Sequence, residues 1–320
     1  MPQSSSTFAR PIVVALGGNA LQRPGDQGSW TEQAARAAEV APLLVGLPAP
    51  GGLVLTHGNG PQVGVHLLRS DLLRDRLPPT RLDVAVAATQ GEIGWVLQRA
   101  LGAALARAGD PRSVLTLLTQ VVVDAQDPAF QDPTKFVGTF FSEEEALRAA
   151  AELGWRVKRD ANRGFRRVVP SPAPREIVEA PAVSRLLQDG GVVIAGGGGG
   201  VPVIRRGGQL IGVEAVVDKD LTAALLARQI QAASLMILTG VDQVWLRFGT
   251  PQAQPLGVVR ASEMAGWLAE GHFPPGSMGP KIAAALDFLA HGGSDVIITS
   301  PDALPALASG GPHTRICADR

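Results

Sequence analysis

Short apolar runs rich in β-branched residues alternate along this chain with longer stretches whose apolar residues return every three or four positions. The short runs predict strands over residues 12–16, 53–56, 114–119, 192–195, 235–238 and 296–299. The longer stretches predict helices over residues 31–45, 61–74, 85–107, 143–153, 182–188, 221–232 and 281–291. One helix start carries its own mark: Ser142 followed by Glu145 has the form of a capping box. Strand then helix, repeated, predicts an α/β fold with a largely parallel sheet covered by helices on both faces. A length of 320 residues suits one large domain or two closely joined lobes.

The rhythm breaks between about residues 122 and 174, where proline and charge accumulate. Within it, GWRVKRDANRGFRRVVPSP reads as a hairpin turning near Asn162-Arg163-Gly164, so the segment is expected to form a small protruding subdomain inserted in the sheet order. Its basic cluster, Arg156, Lys158, Arg159, Arg163, Arg166 and Arg167, reads either as a solvated face or as a surface closing over an anionic substrate.

Several strands end in glycine. Residues 12–16 lead into Gly17-Gly18-Asn19, residues 53–56 into His57-Gly58-Asn59-Gly60-Pro61, residues 192–195 into five consecutive glycines at 196–200, and residues 235–238 into Thr239-Gly240. Ligands of parallel α/β sheets bind beyond the carboxyl ends of the strands. Any one of these loops reads equally as a tight turn. Together they offer many backbone amides with no Cβ in the way, which suits a polyphosphate. The five glycines are therefore expected to let the chain curl against phosphate without steric conflict.

Composition excludes several classes. The chain is 45% hydrophobic and 18% charged, which is globular rather than disordered. Lysine plus arginine equals aspartate plus glutamate at 29 each, so no net charge points to nucleic acid or an acidic membrane surface. The single cysteine, Cys317, excludes an internal disulfide and suits a reducing compartment. The opening MPQSSSTFARPIVVALGGNAL has too short an apolar core for a signal peptide, and no stretch approaches the ~20 apolar residues of a membrane span. A cytoplasmic protein is expected.

Most site classes fail on local grounds. The glycine run satisfies G-x-G-x-x-G only trivially, since it continues into extended, proline-interrupted sequence where a dinucleotide fold needs a helix. G-x-x-x-x-G-K-[ST], H-E-x-x-H and G-x-S-x-G are absent. His57 reads as a loop-packing residue rather than a base. Asp218-Lys219-Asp220, by contrast, opens a helix, where Asp218 would cap and the charged groups would sit near any bound anion. Lys281 also falls at a helix start, against the helix dipole, which suggests an anionic partner. Paired cations suit phosphoryl transfer, where catalysis is mostly positioning and charge neutralisation.

These features resemble those of the carbamate kinases, within the amino-acid kinase superfamily. The resemblance runs nearly end to end, through ALGGNAL (15–21), HGNGPQVG (57–64), TQGEIGW (89–95), QVVVDAQDPAFQDPTK (120–135), RRVVPSPAPREIVE (166–179), GGGGVPVI (197–204), EAVVDKD (214–220) and EGHFPPGSMGPK (270–281). It implies a three-layer αβα sandwich around a mainly parallel, eight-stranded sheet. Residues 1–180 would carry the acid substrate and a homodimer contact, residues 181–320 the nucleotide, and residues 122–174 would be the family's mobile lid. It further implies phosphoryl transfer between ATP and carbamate, giving ADP and carbamoyl phosphate, with Mg²⁺ held on the nucleotide rather than by protein ligands, and a place in arginine metabolism.

Roles follow residue by residue. Gly17, Gly18, Asn19, Gly58, Asn59 and Gly60 would bind substrate phosphate, and Gly196, Gly197, Gly198, Gly199, Thr239, Asp242, Trp245 and Met278 the nucleotide. Lys219 and Lys281 would neutralise the transferred group, Asp220 would orient both lysines, and Lys135 would bind the small acid from the lid. Acetylglutamate and aspartate kinases carry a lysine two residues before the first Gly-Gly, where this chain has Ala15, and Lys219 would supply that charge instead. The chain departs from the family at Phe136 and Thr139, where the lid motif commonly has proline, at Gly240, where many relatives have aspartate, and at Trp245, commonly tyrosine. A kinase of another small carboxylic acid is the nearest rival, and the Ala15/Lys219 exchange argues against it. A non-catalytic nucleotide-binding regulator of the same fold would have lost charged residues, and Lys135, Lys219, Asp220 and Lys281 are all retained.

Overall fold

The structure, a computed structural model, describes residues 9–17, 21, 25–26, 28–160, 164–188, 190–274 and 276–319. Gly18, Asn19, Asn162 and Arg163 lie outside the described residues.

Eight strands form the central sheet, in the order Val258–Arg260, Thr314–Cys317, Asp295–Thr299, Ser234–Leu238, Ile12–Leu16, Leu53–His57, Val192–Ile194 and Val114–Thr116. Neighbours run parallel except Asp295–Thr299 and Thr314–Cys317. Side chains alternate between the two faces of a strand. Val13, Ala15, Val54, Val193, Leu235 and Ile237 enter one core, while Val14, Leu16, Leu55, Ile194, Met236 and Leu238 enter the other. Both faces are buried, which is why these strands are continuously apolar. Helices Ala180–Gln188, Lys219–Gln229, Ala261–Ala269 and Met278–Ala290 cover the first face through residues such as Val183, Ala223, Met264 and Ala284. Trp30–Val45 and Leu82–Ala108 cover the second through Ala37, Leu44, Leu97 and Leu101. The result is a three-layer αβα sandwich.

The expected helices are present, with ends shifted by a few residues. The capping box at Ser142 is made from both sides: its amide donates to Glu145 Oε2 at 2.8 Å, and the Glu145 amide donates to Ser142 Oγ at 3.2 Å. One expected strand is corrected. The apolar run from residue 114 does not continue to 119, because the strand ends at Thr116 and Gln120–Val123 joins a second sheet. The buried side chain of Gln90 bridges this break, accepting from the Thr119 amide at 2.9 Å and donating to its carbonyl at 3.0 Å. Both backbone groups stay satisfied where the run leaves the sheet, so the break leaves no buried polar group unpaired.

The second sheet has the order Gln209–Gly212, Val201–Arg206, Gln120–Val123 and Pro174–Ile177. The two ends of the irregular segment meet there, Val123 opposite Pro174. Between them, Lys135–Phe141, Phe165–Val169 and Val157–Arg159 form a three-stranded antiparallel sheet beside helix Glu143–Leu153, and the last two strands make the expected hairpin. This subdomain rests on the body. Val137 and Val169 are buried with Val63, Leu67, Val86 and Val216. Gly138 lies so close to Gly64 that a Cβ on Gly64 would sit 1.9 Å from the Gly138 Cα. Most of the basic cluster is compensated locally. Arg166 pairs with Asp160 at 3.0 Å, Lys158 with Asp132 at 2.9 Å, and Arg156 donates to the Gln131 carbonyl at 2.6 Å. Arg167 stacks over Trp155 and lies 4.0 Å from Asp71 on the body. Among the described residues no helix is long and apolar enough to cross a membrane.

Candidate active site

Register brings the glycine-bearing strand ends to one edge of the sheet. Leu16 is opposite both His57 and Leu238, and Leu55 is opposite Ile194. The loops beyond are tied to their neighbours. Gly17 donates to the Leu238 carbonyl at 2.8 Å, Gly58 to that of Leu16 at 3.2 Å, and Thr239 to that of Thr299 at 2.8 Å. Asn59 precedes helix Gly60–Leu72 and turns its side chain inward, donating to Thr89 Oγ1 at 2.9 Å.

The five glycines are all buried and form a single tight turn. Thr119 Oγ1 accepts from the Gly196 amide at 3.0 Å, Thr56 Oγ1 donates to the Gly196 carbonyl at 2.8 Å, and Thr222 Oγ1 donates to the Gly199 carbonyl at 2.8 Å. Gly199 and Gly200 close the turn onto the carbonyls of Gly196 and Gly197 at 3.1 and 2.9 Å. These bonds use the amides of Gly196, Gly199 and Gly200, not those of Gly197 and Gly198. Gly198 and Gly199 have φ values of +64° and +89°, the left-handed region that favours glycine. A Cβ there would sit 2.2 Å from Asn59 Nδ2 and 2.0 Å from the Val217 carbonyl oxygen. The sequence-based reason for the run is thus revised: the space that side chains would occupy is filled by the protein itself.

His57 lies beneath this turn. Its Nδ1 is 2.9 Å from the Gly58 carbonyl, which can only accept, so Nδ1 carries the proton. Burial pushes the imidazole down from 6.5 to about 4, against the Gly58 carbonyl and aided by the Lys219 ammonium. The ring is therefore a neutral packing group at ordinary pH. A depressed folded value means that the unfolded chain takes up the proton first. The stability His57 contributes is complete above pH 6.5 and is lost as pH falls towards 4, with a span of about 3 kcal/mol. Urea unfolding of His57→Gln across this window should show a flatter acid limb than wild type. Equal slopes would contradict the assignment.

Helix Lys219–Gln229 begins at Asp218, whose Oδ1 accepts from the amides of Asp220 at 2.9 Å and Leu221 at 3.4 Å, the cap expected from sequence. Asp220 is 3% exposed. It receives Lys219 Nζ on one oxygen at 2.5 Å and Lys281 Nζ on the other at 2.7 Å. Lys281 comes from the first turn of helix Met278–Ala290, so one carboxylate joins two helix starts. Lys135, at the start of its subdomain strand, donates to Asp218 Oδ2 at 2.6 Å. Burial works against the Asp220 carboxylate, yet the Lys219 and Lys281 ammoniums hold it well below the usual carboxylate range. Burial likewise disfavours charge on Asp218, and Lys135 brings it below its ordinary value. Burial lowers the Lys219 ammonium, with Asp220 opposing the shift. Three lysines against two aspartates leave one positive charge at the positive ends of helices. An anion completes such a site.

The remaining sequence candidates lie on separate elements. Thr239 follows strand Ser234–Leu238, Asp242 is exposed, Trp245 is half-buried in a two-stranded ribbon opposite Pro255, and Met278 opens the helix that carries Lys281. Among the described residues no group of three or more His, Cys, Asp or Glu side chains could hold a metal ion, and both oxygens of Asp220 are engaged by lysines. Sequence reasoning missed Thr56, Thr119 and Thr222, which anchor the glycine turn, with Gln90 holding the Thr119 backbone, and it missed the pairing of Lys135 with Asp218. Neither carries a local signal, since each joins positions far apart in the chain.

A buried carboxylate bonded to two lysines at two helix starts is an arrangement suited to phosphoryl transfer. The chain belongs to the amino acid kinase family, which it matches over residues 10–300. It is 49% identical over 310 residues to the carbamate kinase-like protein YahI of Escherichia coli strain K12, covering 95% of this chain and 98% of that one. It is 46% identical over 290 residues to the carbamate kinase of Pyrococcus horikoshii, covering 90% and 92%. Among solved structures, carbamate kinase from Giardia lamblia bound to AMP-PNP matches with a TM-score of 0.88 at 37% identity, covering 97% of this chain and 99% of that one. The chain is a kinase.

Proposed function

We propose that the protein transfers a phosphoryl group reversibly between ATP and carbamate, giving ADP and carbamoyl phosphate. The observation that carries this reading is Asp220 held between Lys219 and Lys281 at two helix starts. Ala15, fully buried in the core beneath helix Lys219–Gln229, leaves Lys219 as the source of charge that related acid kinases take from the first strand. The 46% identity to a carbamate kinase supports the choice of acceptor. Phosphate oxygens of the nucleotide bring Mg²⁺, which adds neutralising charge when bound. The amides of Gly197 and Gly198 and the loops at Gly17 and Gly58 bind phosphate. Lys219 and Lys281 stabilise charge on the group in flight, Asp220 keeps both ammoniums aimed, and no covalent enzyme intermediate forms. ADP release from ATP with carbamate, acetate, aspartate or N-acetylglutamate as acceptor tests the assignment. Carbamate alone should support turnover, and preference for another acid would overturn it.

In this reading Lys135 binds the acid from the subdomain, which acts as a lid. Lys135→Ala should raise KM for carbamoyl phosphate and lower turnover, with KM for ADP nearly unchanged. Collapse of nucleotide affinity alone would reverse the division of labour. The protein acts as a homodimer through its N-terminal half, where Trp30 and Trp95 stack at the surface with centroids 4.7 Å apart. Sedimentation should give twice the 33.2 kDa chain mass, and a monomer would contradict it.

A further inference from the structure

We propose that Asp218 is a positioning residue that ties the subdomain's lysine to the helix start carrying Lys219 and Asp220, an inference that rests on Lys135 being the acid-binding group. Its two carboxylate oxygens do different things. Oδ1 takes the amides of Asp220 and Leu221, which is all that a helix cap requires. Serine or asparagine would serve that purpose equally. Oδ2 takes Lys135 Nζ at 2.6 Å, across 83 positions of sequence. A carboxylate offers a second oxygen and a negative charge for the ammonium while the first oxygen caps the helix, which serine and asparagine do not.

The contact lies where the subdomain meets the body. Two residues after Lys135, Val137 is buried among Val63, Leu67 and Val216, and the next residue, Gly138, presses on Gly64. The strand is thus pinned by apolar packing on one side and by Asp218 on the other. The lysine is aimed at the catalytic cluster before any substrate arrives. Side-chain exposures of 35% for Lys135 and 18% for Asp218 leave the pair open enough for an incoming anion to share the ammonium. Asp218 also sits two residues from Asp220, so the same short turn fixes the acid-binding cation and the carboxylate that orients the phosphoryl-binding pair. A shift of the subdomain strand therefore moves the acid relative to the phosphoryl group, and small misplacements of reacting groups are costly.

Asp218→Asn and Asp218→Ser both keep a capping oxygen and lose the charge. We expect an unchanged melting temperature, an unchanged KM for ADP, and a KM for carbamoyl phosphate raised about tenfold with a fall in kcat. In a Lys135→Met background, Asp218→Asn should add little. Amide hydrogen exchange of strand Lys135–Phe141, measured on ligand-free protein, should quicken in Asp218→Asn. Three results would overturn the inference: exchange equal to wild type, a full kinetic loss in the Lys135→Met background, or a parallel fall of melting temperature and all kinetic constants in both variants. A wild-type protein that forms no ATP from carbamoyl phosphate defeats the functional reading instead. The exchange result stands apart from it, because it requires no substrate.

Discussion

Lys219→Met lowers kcat for ATP formation by about 10²–10³, with a smaller change in KM, because a preorganised cation is removed from the place where charge develops. Methionine keeps the length of the stem and deletes the ammonium. Lys281→Met has a similar effect, since both lysines meet on one carboxylate at 2.5 and 2.7 Å and serve the same group. The double variant should lose less than the product of the single losses, as residues acting as a unit do. Asp220→Asn differs in kind. Removing one partner of a buried ionic cluster leaves uncompensated charge, with a cost of about 3–5 kcal/mol, so its melting temperature should fall along with kcat. Steady-state ATP formation and thermal unfolding of the four variants separate these effects. Near wild-type turnover in Lys219→Met would contradict the mechanism.

Gly199→Ala should destabilise the protein by about 3 kcal/mol or more, or prevent its accumulation, through backbone strain and a clash that cannot relax. The residue has φ +89°, and its new methyl would sit 2.0 Å from a backbone oxygen, that of Val217. Gly102→Ala is the control. It lies within helix Leu82–Ala108, a Cβ there meets nothing within 4 Å, and stability should rise by up to about 1 kcal/mol. Urea unfolding gives both values. A Gly199→Ala protein as stable as wild type, with weakened nucleotide binding, would restore the idea that the glycines make room for a ligand.

That revision shows where the sequence was legible. Strand and helix alternation predicted the layered α/β fold because strands buried on both faces must be apolar throughout, and Val13 to Leu16 divide alternately between two cores. The lysine pair was legible because Lys281 stands against a helix dipole and Lys219 lies between two aspartates, placements with no local structural use. The glycine run was legible as a special turn but not in its cause, since Asn59 and Val217 approach it from distant segments. The sheet edge was illegible. Val258–Arg260 and Thr314–Cys317 are only three and four residues long and partly exposed, too short to set a period. The strand expected over residues 114–119 ends at Thr116 in the structure, a break the sequence does not mark because it depends on Gln90, a residue of a distant helix. The subdomain's basic cluster read either as a solvated face or as an anion surface, a choice local sequence could not make because partners such as Asp160 and Asp132 come from other strands and loops.

The central claim is that these residues transfer a phosphoryl group between carbamate and nucleotide. The most direct measurement is ATP formation by purified protein from ADP, Mg²⁺ and carbamoyl phosphate, with acetyl phosphate as the competing donor and Asp220→Asn as the site control. Rapid ATP formation from carbamoyl phosphate alone, abolished in the variant, is the predicted result. No ATP from carbamoyl phosphate, or equal rates from acetyl phosphate, would contradict it.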